Sequence, residues 1–425
     1  MTDPAVSIRT DRTFIRANGK SARFILARIT APAARAKSTR APVNLAIVLD
    51  RSGSMSGAKL DTAKRAVTEA ITHLKPTDRF SVVVYDDQVD VVIESTAATE
   101  EAKHAALGRL WDIDARGSTD LGGGWLRGCE QVASHLMEQG VNRCLLLTDG
   151  LANVGITDHD ALTAHASELR ARGVSTTTFG VGTDFDERLL ADLADAGGGH
   201  FYYISDVAQI RDAITTEVGE ALEVVARDVS IDVLARDEIE VEAITPHKVQ
   251  RRGGRTAILL GDHVSEQVVE AVLRLTFPYG TLGAEVGAIL TVADRDDVFA
   301  AAGQVRMTWT YADSATNDHQ ARDRDVDRAV ARMFAARATQ DAVRLNRARD
   351  YEQARALLAS TASRIQGYAG QDPELLATAA QLADRSTVLR SEASPQMLKQ
   401  VHYDSSNIAR SRSAMGQALK SDKRV

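Results

Sequence analysis

The chain has 425 residues, of which 44% are hydrophobic and 26% charged, a composition typical of a folded globular protein and unlike that of a disordered or fibrous one. The formal net charge of −7, from 51 basic and 58 acidic residues, gives no support for nucleic-acid binding. No apolar stretch approaches a membrane span and the N-terminus shows no signal-peptide pattern, so we expect a cytoplasmic protein without a membrane partner.

The first predicted elements are strands, and a second pattern follows them. Residues 5–30 contain "VSIRT", "TFIRA" and "ARFILARIT", and 31–42 read as a connector with two prolines. Over 43–222, apolar strands alternate with segments of helical periodicity, and two of the strands are joined closely enough for a hairpin. This alternation predicts a doubly wound α/β domain, in which a mostly parallel sheet has one antiparallel edge strand.

Residues 223–312 contain strands alone, which predicts a β-sandwich. The N-terminal strands need pairing partners, and the alternating segment has a complete series of its own. We therefore predict that residues 1–36 and 223–312 form one discontinuous β-sandwich domain, with the α/β domain of residues 43–222 inserted into it.

Residues 318–425 have helical periodicity, which predicts a helical C-terminal region. Two interpretations stay open: a helical hairpin that covers the β-domain, or a surface that binds a partner. The serine-rich end, 395–425, is either a loosely held helix or a tail, and phosphorylation there would create a docking motif. The candidate serines are Ser405, Ser406, Ser411 and Ser413.

Three separate loops carry oxygen-bearing side chains. An apolar strand ends in "DRSGSMSG", which places Asp50, Ser52 and Ser54 at alternate positions. A turn and helix cap would explain this stretch alone, and so would a cation site. Thr119 in "RGSTDLGGGW" and Asp149 in "LLLTDGLAN" belong to two further loops. Because ligand sites gather at the carboxyl edge of a parallel sheet, we expect these side chains to converge on a hard cation that prefers oxygen ligands.

In this order, "DRSGS", "GSTDL" and "TDG" resemble the von Willebrand factor A domain and its metal-ion-dependent adhesion site. That family's pattern is Asp-x-Ser-x-Ser, a distant Thr and a distant Asp, and the resemblance covers about residues 43–222. It implies bound Mg²⁺, with Mn²⁺ as a substitute, and protein binding rather than catalysis. The residues that it implies at the metal are Asp50, Ser52, Ser54, Thr119 and Asp149.

We therefore predict an Mg²⁺-dependent adaptor or scaffold, not an enzyme, that captures an Asp or Glu carboxylate of a protein partner. The flanking regions resemble bacterial cytoplasmic proteins whose partners often include kinases, phosphatases and phosphopeptide-binding modules, which implies a signalling or assembly complex. One alternative is a non-catalytic subunit of an ATP-driven chelatase-like machine, although the chain shows neither an ATPase-like half nor a long acidic linker. The other is a metal-dependent hydrolase, although no His or Glu adjoins the metal loops in sequence.

Overall fold

The computed structural model describes residues 5–34 and 40–421, apart from the side chain of Arg252. The chain divides into two compact units, one of Met1–Arg35 and Val225–Val425 and the other of Ala36–Val224. The strands are β1 (Ala5–Thr10), β2 (Phe14–Arg16), β3 (Ser21–Thr30), β4 (Val43–Asp50), β5 (Arg79–Tyr85), β6 (Val89–Ala97), β7 (Val141–Thr148), β8 (Ser175–Val181), β9 (Gly198–Ile204), β10 (Val224–Ala235), β11 (Glu240–Ala243), β12 (Lys248–Arg252), β13 (Arg255–Val264), β14 (Val268–Phe277), β15 (Glu285–Ala293) and β16 (Gln304–Ala312). The helices are α1 (Ala58–Thr72), α2 (Glu100–Trp111), α3 (Leu121–Ala133), α4 (His159–Ala171), α5 (Glu187–Gly197), α6 (Gln209–Leu222), α7 (Ser314–His319), α8 (Arg324–Arg347), α9 (Tyr351–Ala369), α10 (Pro373–Val388) and α11 (Pro395–Ala409).

The unit of Ala36–Val224 is built on one sheet with the strand order β6-β5-β4-β7-β8-β9. Neighbouring strands are parallel except for the edge strand β6, which is antiparallel to β5. All eight residues of β4 and of β7 are buried, as expected for central strands covered by helices on both faces. The predicted α/β fold is confirmed, and strand order reverses between β4 and β7.

Helix α3 lies unusually close to this sheet. A β-carbon at Gly124 would stand 2.4 Å from Tyr85 Cγ, and one at Gly128 would stand 2.2 Å from Val48 Cγ2. Only glycine fits at such distances. Asp120 caps the helix by accepting a hydrogen bond from Gly123 N at 2.9 Å. The close packing and the cap together fix the loop that precedes α3, which carries Thr119.

The other unit contains a sandwich of two sheets. One has the order β1-β3-β14-β11, and the other has the order β12-β13-β10-β15-β16-β2. The N-terminal strand β3 pairs with β14 over ten residues, so the first strands of the chain form a sheet with strands that follow the α/β unit. Buried positions alternate along β10 and β15, and their apolar side chains fill the space between the sheets. Residues 35–39 of the predicted connector lie outside the described residues.

The C-terminal helices belong to the same unit as the sandwich. Val326, Val330 and Met333 of α8 pack against Leu26 of β3 and Val272 of β14, and so cover the outer face of that sheet. The helices α8, α9 and α10 share a second apolar cluster of their own. Among the described helices, none combines the length and the apolarity that a membrane crossing requires.

The serine-rich end is more ordered than its composition suggests. After α11 the chain continues to Ser421 and bonds to the edge of β14, where Val268 N donates to Leu419 O at 2.8 Å. Of the two interpretations left open for this stretch, the helix is found over Pro395–Ala409 and the tail is wrong for residues 395–421; residues 422–425 lie outside the described residues. Three of the four candidate phosphorylation sites are buried, which argues against their modification; these are Ser405, Ser406 and Ser411.

Candidate metal site

The candidate site lies at the carboxyl edge of the α/β sheet, where strand order reverses between β4 and β7. Asp50 is the last residue of β4, and Asp149 directly follows the last residue of β7. Because these neighbouring strands are parallel and in register through Leu49 and Leu147, both aspartates emerge at the same edge. Crevices of this kind are the usual ligand sites of doubly wound sheets.

Asp50 is completely buried and held by two hydrogen bonds. Its Oδ1 accepts from Ser52 N at 2.7 Å, and its Oδ2 accepts from Thr148 Oγ1 at 2.7 Å. Burial raises the pKa of Asp50, although the hydrogen bonds from Ser52 and Thr148 act in the opposite direction. The nearby charge of Asp149 also raises it. Two carboxylates thus share one small, desolvated space.

The serines of "DRSGS" connect these two carboxylates. Ser52 Oγ and Ser54 Oγ are 3.1 Å apart, and Ser54 Oγ donates to Asp149 Oδ1 at 2.6 Å. Ser52 and Asp149 are buried, whereas Ser54 is exposed. Lys59 Nζ makes an ion pair with Asp149 Oδ2 and lies 3.3 Å from Ser54 O.

Thr119 belongs to the same site through the loop after β7. Its backbone N donates to Asn153 Oδ1 at 3.0 Å, and Asn153 N donates to Thr119 O at 3.2 Å. A methyl group added at Gly150 would stand 3.4 Å from Thr119 Oγ1 and 3.9 Å from Ser54 Oγ. The hydroxyls of Thr119 and Ser54 therefore border one small space beside Gly150.

A charged network joins the loops around the site. Asp86 Oδ2 accepts from Arg51 Nε at 2.9 Å and from Arg116 Nε at 2.7 Å, while Arg116 N donates to Arg51 O at 2.7 Å. Burial raises the pKa of Asp86, but the hydrogen bonds from Arg116, Gln88 and Arg51 outweigh it and lower the pKa below its ordinary value. This network ties the loop after β4 to the loop before α3.

These side chains fit a small hard cation. Mg²⁺ takes oxygen ligands at about 2.0–2.1 Å in octahedral geometry, which places adjacent ligands about 3 Å apart. The separation of 3.1 Å between Ser52 Oγ and Ser54 Oγ agrees with that requirement. Hydroxyls leave the positive charge of a cation largely uncompensated, and the exposed Ser54 leaves the site open to solvent on one side.

Sequence reasoning missed several residues of this site. Thr148 orients Asp50, Gly150 leaves the space between the hydroxyls, and Lys59 pairs with Asp149. One signal was available for Lys59: a lysine in the first turn of a helix is disfavoured by the helix dipole, so a specific acidic partner is to be expected there. Thr148 and Gly150 flank Asp149 in the "TDG" stretch, but only Asp149 was assigned to the site.

A second group of potential metal ligands lies toward the opposite edge of the sheet. His200, Glu217 and Glu220 place one ligand atom each within 4.8 Å of one another. Glu217 is fully buried, however, and its oxygens already accept hydrogen bonds from Arg143 at 2.6 Å and from Tyr202 at 2.9 Å. A buried guanidinium at this distance supplies the positive charge that a metal would bring, so this group is explained as an ion-pair cluster.

The fold and the oxygen-bearing side chains of the site define an α/β domain with an oxygen-lined site at the sheet edge where strand order reverses. Residues 44–216 match the profile of the von Willebrand factor type A domain, so the chain contains such a domain, as the sequence resemblance predicted. Domains of this class commonly mediate protein–protein interaction. The intact metal site and the cytoplasmic location stay predictions.

The chain is similar in sequence to one curated protein and in fold to two solved structures. The chain is 31% identical over 193 residues to the uncharacterized protein YfbK of Escherichia coli (strain K12), a match that covers 45% of this chain and 33% of that protein. The fold of the present chain is similar to that of a von Willebrand factor type A protein from Catenulispora acidiphila, with a TM-score of 0.69 and 17% identity. The match covers 99% of this chain and 97% of that one. The ArnB paralog VWA2 from Sulfolobus acidocaldarius gives a TM-score of 0.60 at 16% identity, with coverage of 95% and 99%.

Proposed function

We propose that the chain is a protein-binding adaptor that uses a divalent cation, Mg²⁺ or Mn²⁺, to capture an Asp or Glu carboxylate of a partner protein. Ser52, Ser54 and Thr119 would hold the cation directly, with Asp50 and Asp149 close behind them. When bound, the cation would supply a Lewis-acidic centre, and a carboxylate from another molecule would fill the remaining position of its coordination shell. Membership of a signalling or assembly complex, with a kinase, phosphatase or phosphopeptide-binding partner, is part of the same proposal.

The observation that supports this proposal most strongly is the burial of the donor set. Asp50, Ser52, Thr119 and Asp149 are each at most 4% exposed, and the two buried carboxylates have one ammonium group, that of Lys59, in contact with them among the described residues, so a further positive charge would be stabilised there. Ser54 at the rim is exposed, which leaves a direction from which a partner can approach. The chain's own residues would thus bind and orient the cation, and the partner would bring the last ligand. We propose no catalytic role.

The test is Mg²⁺ titration by calorimetry with variants that keep the shape of the site. Asp50→Asn and Thr119→Val should each weaken Mg²⁺ binding at least about tenfold, the loss typical of a disturbed metal shell. Thr215→Val on α6, which removes a hydroxyl away from the site, is the matched control and should bind Mg²⁺ as the wild type does. Normal Mg²⁺ binding by Asp50→Asn and Thr119→Val would refute the site.

The same variants test the adaptor role. The wild-type protein is used as bait in the native host's extract, with Mg²⁺ or with EDTA, and captured proteins are identified by mass spectrometry. We expect a partner whose capture needs both Mg²⁺ and Thr119 and is unaffected by Thr215→Val. Capture that is equal in EDTA would contradict a metal-dependent contact.

A further inference from the structure

Lys59 is placed where it interacts directly with the candidate metal site. It is the second residue of α1, its side chain is 28% exposed, and it makes its ion pair with the completely buried carboxylate of Asp149. The other oxygen of that carboxylate accepts the hydrogen bond from Ser54 Oγ. Among the described ion pairs, Asp149 has no other basic partner.

The position of Lys59 in its helix is unfavourable for a lysine. The first turn of an α-helix carries partial positive charge, so a cation there is disfavoured and an anion is favoured. Exposed positions farther along α1, such as Arg65, would accept a basic residue at less cost. The electrostatic gain that offsets this cost is the contact with Asp149.

The neighbouring basic residue cannot replace Lys59. Arg51 follows Asp50 directly, but its guanidinium makes ion pairs with Asp86 and Asp90 instead. The two buried carboxylates of the site, Asp50 and Asp149, therefore have one ammonium group in contact with them among the described residues. Burial of a carboxylate away from water is unfavourable unless an opposite charge lies beside it. This explains why the side chain of Lys59 contacts Asp149.

We infer that Lys59 is an internal counter-cation that competes with the divalent metal for Asp149. Without metal, its ammonium group balances the buried carboxylate and preserves the shape of the site. When a divalent cation binds, repulsion moves the ammonium group away from Asp149 toward solvent, where its partial exposure shows a path. Lys59 thereby lowers the affinity for Mg²⁺. This inference rests on the proposed function, because it needs a metal at the site.

The first experiment is Mg²⁺ titration by calorimetry of the wild type, Lys59→Met and Arg65→Met. The control removes the same charge from the same helix, away from Asp149. We expect Lys59→Met to bind Mg²⁺ about tenfold more tightly than Arg65→Met, since one ion pair no longer has to be broken. Lys59→Arg keeps the charge and should stay close to the wild type. If Lys59→Met binds Mg²⁺ no more tightly than Arg65→Met, the inference is wrong.

The second experiment measures thermal unfolding in EDTA and in saturating Mg²⁺. Lys59→Met should unfold at a lower temperature than the wild type in EDTA, and the difference should disappear in Mg²⁺, because the metal replaces the missing charge. A difference of equal size in both conditions would show a merely structural lysine. Lys59→Gln keeps a polar side chain and serves if Lys59→Met does not fold. Absence of Mg²⁺ binding by the wild type would refute the proposed function itself, which distinguishes the two failures.

Discussion

At the scale of single residues, His263 in β13 is a buried histidine with no hydrogen-bond partner at either ring nitrogen among the described residues. Its ring lies edge-on to Phe299, with 6.2 Å between the ring centroids. Burial lowers the pKa of His263 from its ordinary 6.5 to about 3, and His247 acts in the same direction. The folded sandwich therefore holds this imidazole in its neutral form.

This burial predicts a pH-dependent stability. Above pH 6.5 the imidazole is neutral in both the folded and the unfolded chain, so its contribution to stability is fully present there. As the pH falls from 6.5 towards 3, the unfolded chain binds a proton that the folded chain does not, and stability is lost by about 1.4 kcal/mol per pH unit. Between pH 6 and pH 4, the stability of His263→Leu should therefore fall less steeply than that of the wild type, by about 1.4 kcal/mol per pH unit.

Urea denaturation at several pH values measures this slope, and hydrogen exchange of β13 assigns the transition to the sandwich. The same substitution at the exposed His104 is the control for the loss of a surface histidine. A wild-type slope that persists in His263→Leu would mean that other groups cause the pH dependence.

Some residues of the metal site could be predicted from the sequence because they lie close together along the chain. Asp50, Ser52 and Ser54 lie within five positions of one loop, so their convergence depends on local backbone geometry alone. Thr119 and Asp149 needed the additional knowledge that carboxyl ends of parallel strands meet at one edge. The environment of His263 depends on Phe299, a contact between distant strands and loops that no local pattern encodes.

At the scale of elements, Glu217 links α6 to three strands of the α/β sheet. Besides Arg143 of β7 and Tyr202 of β9, it accepts a hydrogen bond from Thr177 Oγ1 of β8 at 2.8 Å. His200 Nδ1 lies 3.0 Å from its second oxygen. Both Glu217 and Arg143 are almost completely buried, so their ion pair lies inside the α/β unit, away from solvent.

Removal of this charge should therefore destabilise the α/β unit strongly. Glu217→Gln keeps the shape of the side chain but removes its negative charge beside the buried guanidinium of Arg143, which we expect to cost about 3 kcal/mol of unfolding free energy. Glu130→Gln breaks an exposed pair with Arg127 and should have little effect. Urea denaturation of both variants is the measurement, and equal stabilities would contradict the role of Glu217 as the anchor of α6.

Element prediction was reliable where periodicity was strong and weak at the ends of elements. Helix α3, for example, ends at Ala133, and the next residue, Ser134, donates a hydrogen bond from its Oγ to Gln131 O at 2.9 Å. The buried strands β4 and β7 are continuous apolar runs bounded by polar residues, so the sequence marks them clearly. The burial of Glu217 in α6, beside the apolar residues that pack this helix on the sheet, was not predictable, since a Glu in a helix usually faces solvent.

At the scale of the whole chain, the sequence left the segment 395–425 open between a loosely held helix and a tail. The structure has a helix over Pro395–Ala409, followed by a segment that specific backbone hydrogen bonds to β14 hold in place, and composition, which reports only average behaviour, does not distinguish these possibilities. A count of strands that lacked partners predicted that the N-terminal strands share a β-domain with residues 223–312, but it did not specify the pairing of β3 with β14. The need of a strand for a partner is thus visible in the sequence, whereas the identity of that partner is not.

The C-terminal segment covers an open edge of β14, and its loss should destabilise the sandwich unit. Val268 N donates to Leu419 O at 2.8 Å and Glu270 N donates to Ser411 Oγ at 3.0 Å, on the side of β14 that does not face β3. Truncation after Arg410 removes both acceptors. At about 1 kcal/mol per hydrogen bond we expect a loss of about 2 kcal/mol, together with a tendency to aggregate through the exposed strand edge.

Truncation after Ser421 is the matched control, because it keeps every contact described for this segment. Urea denaturation gives the free energy of unfolding of both truncated chains, and hydrogen exchange of residues 266–277 locates the change. Faster exchange should be confined to the amides of Val268 and Glu270 and their neighbours, while the centre of β4 in the α/β unit keeps its protection. Equal stability and equal exchange in the two truncated chains would show that the segment contributes nothing to the sandwich, and that its hydrogen bonds are replaced by water at no cost.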